Sequence, residues 1–225
     1  KEQDFRVSGN ITSFDVSPDK KKLAFSSRGE LFISDAEGKF IRRLPTSVNG
    51  RVLEVLWMSD NKTILFNQTK DGYQNLYTIS ADGSTGENQL TDEMQNNRSI
   101  SLNSDRTQAV YLSGRGEVRL MDLDSYESET VVEDEIWDIF SSDPQCSPDD
   151  NYIVYTAFRN FEQNVYIYDI ENESTISITD TFVSETSPVW SPDGKYIYFQ
   201  TNRTQPSYPY GQQNPDIYRI ALDLI

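Results

Sequence analysis

Histidine is absent from these 225 residues, and there is one cysteine, Cys146. Without histidine the chain cannot assemble a Ser-His-Asp triad, a Cys-His pair or an imidazole-ligated metal site. A single cysteine rules out an internal disulfide framework. Positive charge is scarce as well: 20 Lys and Arg stand against 36 Asp and Glu, a net charge of −16 at pH 7. Binding to a phosphate backbone needs a basic footprint that releases counterions, so no nucleic-acid partner is expected. No apolar run exceeds a few residues, and no membrane insertion is expected. The chain is rich instead in aromatics, with 13 Tyr, 11 Phe and 3 Trp, which suit the half-buried pleated surface of a sheet.

One pattern recurs five times. An apolar-alternating run leads to a Ser-(Pro)-Asp turn, then a second apolar run, an aromatic pair and another Asp- or Gly-marked turn. The turn aspartates Asp19, Asp60, Asp105, Asp149 and Asp193 are 41, 45, 44 and 44 residues apart. A period in the forties with four short strands per unit predicts an all-β β-propeller of four-stranded antiparallel blades. The first copy reads Ile11–Val16, Lys22–Ser26, Glu30–Ser34 and Phe40–Leu44 for strands a to d, counted from the centre outward. The blades fall at about 11–47, 51–92, 95–135, 136–182 and 183–225, in a single propeller domain or fragment. Residues 1–10 read as the outer strand of a closing or a preceding blade. Five repeats are compatible with a five-bladed ring or with part of a seven-bladed propeller.

A recurring turn Asp is a structural residue, because its carboxylate caps nearby backbone N–H groups. The second and third copies lack the proline, at Ser59-Asp60 and Ser104-Asp105, and read as one-residue deletions. The residues before the turn serines are then Val16, Met58, Asn103, Cys146 and Trp190. These are blade-packing positions, with Asn103 the polar exception. On this reading Cys146 is a small buried hydrophobe and Trp190 packs between blades. No catalytic residue, cofactor site or metal site is expected.

The b–c and d–a connections share one face of a propeller, and the irregular sequence collects there. Trp137 and the pair Phe158 and Phe161 belong to the fourth blade, and Tyr208 and Tyr210 to a long insertion in the fifth. These five aromatics form the candidate interaction face.

The block Asp4-Phe-Arg-Val-Ser-Gly-Asn-Ile-Thr-Ser-Phe-Asp-Val-Ser-Pro-Asp19, with Lys22-Leu-Ala-Phe25 and Gly29-Glu-Leu-Phe32, resembles bacterial tricorn-type serine proteases. Ser191-Pro-Asp-Gly194 and Asp216-Ile-Tyr-Arg-Ile220 fit the same family. The bare repeat is shared with TolB-type propellers. The resemblance implies a propeller within a larger peptidase, one that guides peptides or holds neighbouring PDZ and peptidase domains. None of the family's catalytic residues maps onto this chain. A TolB-like periplasmic scaffold for protein partners is the alternative, and a five-bladed glycosidase is a distant third. The resemblance suggests a periplasmic or secreted setting and leaves a cytoplasmic one open.

Overall fold

The computed structural model describes residues 9–137, 142–204 and 215–222. Among these residues there are strands and turns but no helix. The chain divides into two compact units, Lys1–Arg98 and Ser99–Ile225.

The first unit holds two antiparallel four-stranded sheets. One is β1 (Ile11–Val16), β2 (Lys22–Ser27), β3 (Glu30–Asp35) and β4 (Ile41–Arg43). The other is β5 (Arg51–Trp57), β6 (Thr63–Lys70), β7 (Tyr73–Ser80) and β8 (Asn88–Gln89). A third sheet follows, whose first strand straddles the division: β9 (Asn97–Leu102), β10 (Gln108–Ser113), β11 (Glu117–Asp122) and β12 (Ser128–Glu133). The second unit continues with β13 (Gln145–Cys146), β14 (Tyr152–Arg159), β15 (Glu162–Asp169) and β16 (Ser174–Ser177). It ends in a three-stranded sheet of β17 (Glu185–Trp190), β18 (Tyr196–Thr201) and β19 (Asp216–Ala221). Strands neighbouring in sequence pair in order, so each sheet is a meander, the unit of a propeller blade.

The a–b turn has the same backbone ladder in all five blades. The Ser17 hydroxyl donates to Asp19 Oδ1 at 2.7 Å and accepts the Lys22 N–H at 3.0 Å. Ser147 and Ser191 repeat both bonds with Asp149 and Tyr152, and with Asp193 and Tyr196. The same backbone ladder corrects the register of the second and third copies. Met58 N–H donates to Thr63 O and Asn103 N–H to Gln108 O, as Ser17 N–H does to Lys22 O. Met58 and Asn103 therefore stand at the serine position, Ser59 and Ser104 at the proline position, and nothing is deleted. Asn103 is buried as a turn residue and not at the apolar packing position. Its Oδ1 accepts the Gln108 N–H at 2.8 Å, doing what the serine hydroxyl does elsewhere. The true pre-turn residues are Val16, Trp57, Leu102, Cys146 and Trp190, all apolar. In every copy the third residue after the serine position has positive φ: Lys20, Asn61, Arg106, Asp150 and Gly194.

These hydrogen bonds hold the turn carboxylates below the usual aspartate range. The leading cause is the Ser17 hydroxyl for Asp19, the Thr107 hydroxyl for Asp105, the Ser147 hydroxyl for Asp149 and the Ser191 hydroxyl for Asp193. At Asp60 burial opposes the shift, and the Thr63 hydroxyl with two backbone N–H groups outweighs it.

The core lies between successive blades. In the first unit Ala24, Leu31 and Ile33 of one sheet pack with Val55, Trp57, Ile64, Phe66 and Tyr77 of the next. In the second unit Val110, Val118 and Leu120 pack with Ile153, Tyr155 and Tyr166, with Cys146 half-buried against them. Val154, Val165 and Ile167 pack with Trp190, Ile197 and Phe199. Trp190 thus sits between blades as the sequence predicts, with Nε1 donating to Gln145 O at 3.2 Å.

Candidate interaction site

The β14–β15 hairpin, the b–c connection of the fourth blade, supplies the most unusual backbone of the loop face. Arg159 pairs with Glu162, so the loop is two residues, Asn160 and Phe161, with φ of 52° and 69°. Positive φ at both positions is the geometry that fits the right-handed strand twist. The first two blades close the same hairpin with Arg28-Gly29 and Asp71-Gly72, also at positive φ. Glycine takes that conformation without strain. A phenylalanine there costs about 1–2 kcal/mol, because its Cβ crowds the backbone. Phe161 accepts that strain and is 85% exposed.

The aromatics named from the sequence separate into distinct roles. Phe158 is buried and does not belong to an exposed face, and its N–H donates to Glu135 O at 2.9 Å. Trp137, half-buried, stacks flat on it with centroids 4.2 Å apart and an interplanar angle of 8°. Its Nε1 donates to Glu135 Oε1. Tyr208 and Tyr210 lie outside the described residues. A residue that sequence reasoning missed joins Phe161 among the exposed rings. Phe182, in the connection to the fifth blade, is 96% exposed. The available signal was an apolar residue in Thr181-Phe-Val-Ser184, outside any alternating run.

Phe182 lines a cavity of about 460 Å³ with Arg159, Asn160, Glu162, Asp180 and Thr181. Its walls are fixed. The Arg159 guanidinium pairs with Asp134 Oδ1 at 2.6 Å and lies over the Tyr166 ring, and Tyr155 Oη donates to Asp134 Oδ2. Burial raises the Tyr155 phenol well above its usual value. The Ser184 hydroxyl donates to Glu162, and buried Asn164 accepts the Thr181 N–H through Oδ1 at 3.2 Å. With Arg159 matched by Asp134, Glu162 and Asp180 leave the cavity acidic. Among the described residues no group of three or more His, Cys, Asp or Glu side chains could hold a metal ion.

The family described as Eukaryotic translation initiation factor eIF2A matches residues 66–209, well over half of the chain. The chain belongs to that family. It is also homologous to the tricorn protease of Thermoplasma acidophilum, 25% identical over 200 residues, or 84% of this chain and 18% of the relative. The tricorn protease crystal structure matches with a TM-score of 0.73 at 18% identity, covering 95% of this chain and 22% of that one. A protein assigned as TolB from Agrobacterium tumefaciens matches with a TM-score of 0.66 at 17% identity, over 95% of this chain and 77% of that one. TolB from Acinetobacter baumannii gives 0.64 at 20% identity, over 97% and 51%. The fold is a β-propeller. The chain spans about a fifth of the tricorn protease's length.

Proposed function

We propose that this chain is a non-catalytic propeller region of a tricorn-like peptidase, and that its fourth-blade loop face receives extended peptide on the way to or from a separate catalytic domain. The observation that carries this reading is Phe161, a strained and exposed ring where two sister hairpins use glycine. Strain of this kind persists where the side chain has a use outside the fold. Phe182 and the acidic cavity beside it suit an apolar side chain flanked by Lys or Arg. Exposed aromatic anchors bury large area at low rotamer cost. Neighbouring PDZ or peptidase domains are the other occupants this surface could serve. A translation-factor role, which the family description names, meets a net charge of −16, which disfavours an RNA phosphate backbone.

The test is fluorescence anisotropy with labelled unstructured peptides carrying one Leu or Phe between basic residues. Phe161→Gly and Phe182→Ser are each expected to raise Kd by about tenfold, the loss typical of one interface anchor. Unchanged affinity in both variants, with circular dichroism as in the parent, removes the proposal.

A further inference from the structure

The backbone ladder makes the d–a connections comparable residue by residue. Leu44 N–H donates to Leu31 O, Leu90 N–H to Leu76 O and Ile178 N–H to Val165 O, at equivalent places along strand c. Four residues further on, each connection turns an apolar side chain to solvent: Val48 is 100% exposed, Met94 85% and Phe182 96%. The third connection shows that the fold does not impose this. Val132 pairs with Val118, and Ile136, four residues later, is 2% exposed. A single exposed apolar residue is ordinary on a protein surface; recurrence at one position is not.

In the first unit both tips are held rigidly. The Ser47 N–H, beside Val48, donates to Glu87 Oε2 at 3.0 Å, and the Gly50 N–H closes a turn to Ser47 O at 2.9 Å. A Cβ at Gly50 would stand 2.5 Å from Gln68 Oε1, so this connection is seated directly on that amide. The Glu93 N–H, beside Met94, donates to Asn75 Oδ1 at 3.1 Å, and the Gln74 N–H donates to Asn96 Oδ1 at 3.0 Å. Gln68 Nε2 donates to Glu87 at 2.8 Å, and Gln68 is the cross-strand partner of Asn75. Both tips are thus mounted on one register pair of the β6–β7 hairpin, two pairs below its end at Lys70 and Tyr73. The surroundings are acidic: burial first, then the carboxylates of Glu87, Asp92 and Asp71, push the Tyr77 phenol of this hairpin up to about 12.

We propose that Val48 and Met94 are paired anchors for an extended polypeptide segment carrying apolar side chains among Lys or Arg, at a site separate from the fourth-blade surface. Side chains on rigid loops lose little freedom on binding, which is what makes an anchor effective. Two apolar tips beside a polar hairpin end suit separated side chains of an extended segment better than one broad apolar face. Asp71, Glu87, Asp92 and Glu93 stand against Arg51 and Lys70 in these connections and this hairpin. Basic residues on the segment therefore meet complementary charge.

The test uses the 225-residue chain in a Phe161→Gly/Phe182→Ser background, which removes the fourth-blade anchors and so separates failure of that reading from failure of this one. Labelled unstructured peptides with two leucines set among lysines are titrated by fluorescence anisotropy. Binding should persist in this background. Val48→Ser and Met94→Ser should each raise Kd by about tenfold, the loss typical of one anchor, and Met94→Leu should leave it unchanged. Peptides with glutamates in place of the lysines should bind more weakly. Absence of binding in the background overturns the proposal, as does unchanged affinity in either serine variant or equal affinity for the lysine and glutamate peptides. Sedimentation reports on the rival occupant: a parent dimer that Met94→Ser converts to monomer overturns the proposal in favour of a second copy. Both side chains are exposed, so the serine variants should keep the parent's Tm; a lowered Tm would make them packing residues and refute the anchor role.

Discussion

Replacing Phe161 by glycine should stabilise the fold while weakening peptide binding, a sign opposite to that of most aromatic deletions. The gain is release of a left-handed conformation, about 1–2 kcal/mol for a residue with a Cβ. Against it stands the greater freedom of glycine in the unfolded chain, about 0.5–1 kcal/mol. Little burial is lost, because Phe161 is 85% exposed. A ring's full burial is worth about 1.5–3 kcal/mol, so the buried fraction accounts for roughly 0.3 kcal/mol. The net is a stabilisation of about 0.5 kcal/mol, or 1–2 °C in Tm for a domain of this size. Phe161→Ala keeps the strain and loses the ring, and should be neutral to slightly destabilising. The reciprocal change isolates the backbone: a Cβ at Gly72 meets nothing within 4 Å, and φ there is +92°. Gly72→Ala should therefore cost about 1 kcal/mol with no clash to explain it. Urea denaturation of the three variants decides the matter. A destabilised Phe161→Gly together with a neutral Gly72→Ala would refute the account of the hairpin.

Trp190→Ala should cost about 3–5 kcal/mol, the range for emptying an aromatic core site, and an unchanged urea midpoint would contradict its place between blades. Arg203 donates from Nε to Glu185 at 2.6 Å; Glu185 is fully buried, and its Oε2 has no partner. Arg203→Ala should cost about 2–3 kcal/mol by stranding that charge, discounted because the arginine is partly exposed, and Glu185→Gln in the same background should recover part of it. The turn carboxylates titrate lower in the folded chain than in the unfolded one, and Ser84 holds Asp82 down to about 2. Their contribution is complete above the unfolded value of about 3.9 and is lost as pH falls through the folded values. Tm should drop between roughly pH 4 and 2, and a flat profile there would rule the linkage out. Burial pushes the Cys146 thiol up to about 12, so it should resist thiol reagents at pH 8 until the protein unfolds. Rapid native-state labelling would place it on the surface.

Repetition is why the architecture could be read without coordinates. Five copies of one turn, at spacings set by four short strands, leave little else for the chain to form, and the strands begin where the alternation begins. Local chemistry also reached the turn aspartates, whose partners lie within four residues, and Trp190, whose position recurs in every blade. It failed where equivalence depends on backbone pairing. Ser59 and Ser104 look like the turn serines, yet the ladder gives that place to Met58 and Asn103, because a side-chain amide oxygen can accept the bond a hydroxyl accepts. The candidate site shows the same division. Aromatic residues in irregular loops were visible as a composition, but burial separates Phe158 from Phe161, two rings three residues apart on one hairpin. Phe182 mattered only once the chain folded it beside a cavity. Exposure at Ile217 and Tyr198 is likewise a fact of packing: the residue types are those of a core, yet the side chains are 74% and 37% exposed.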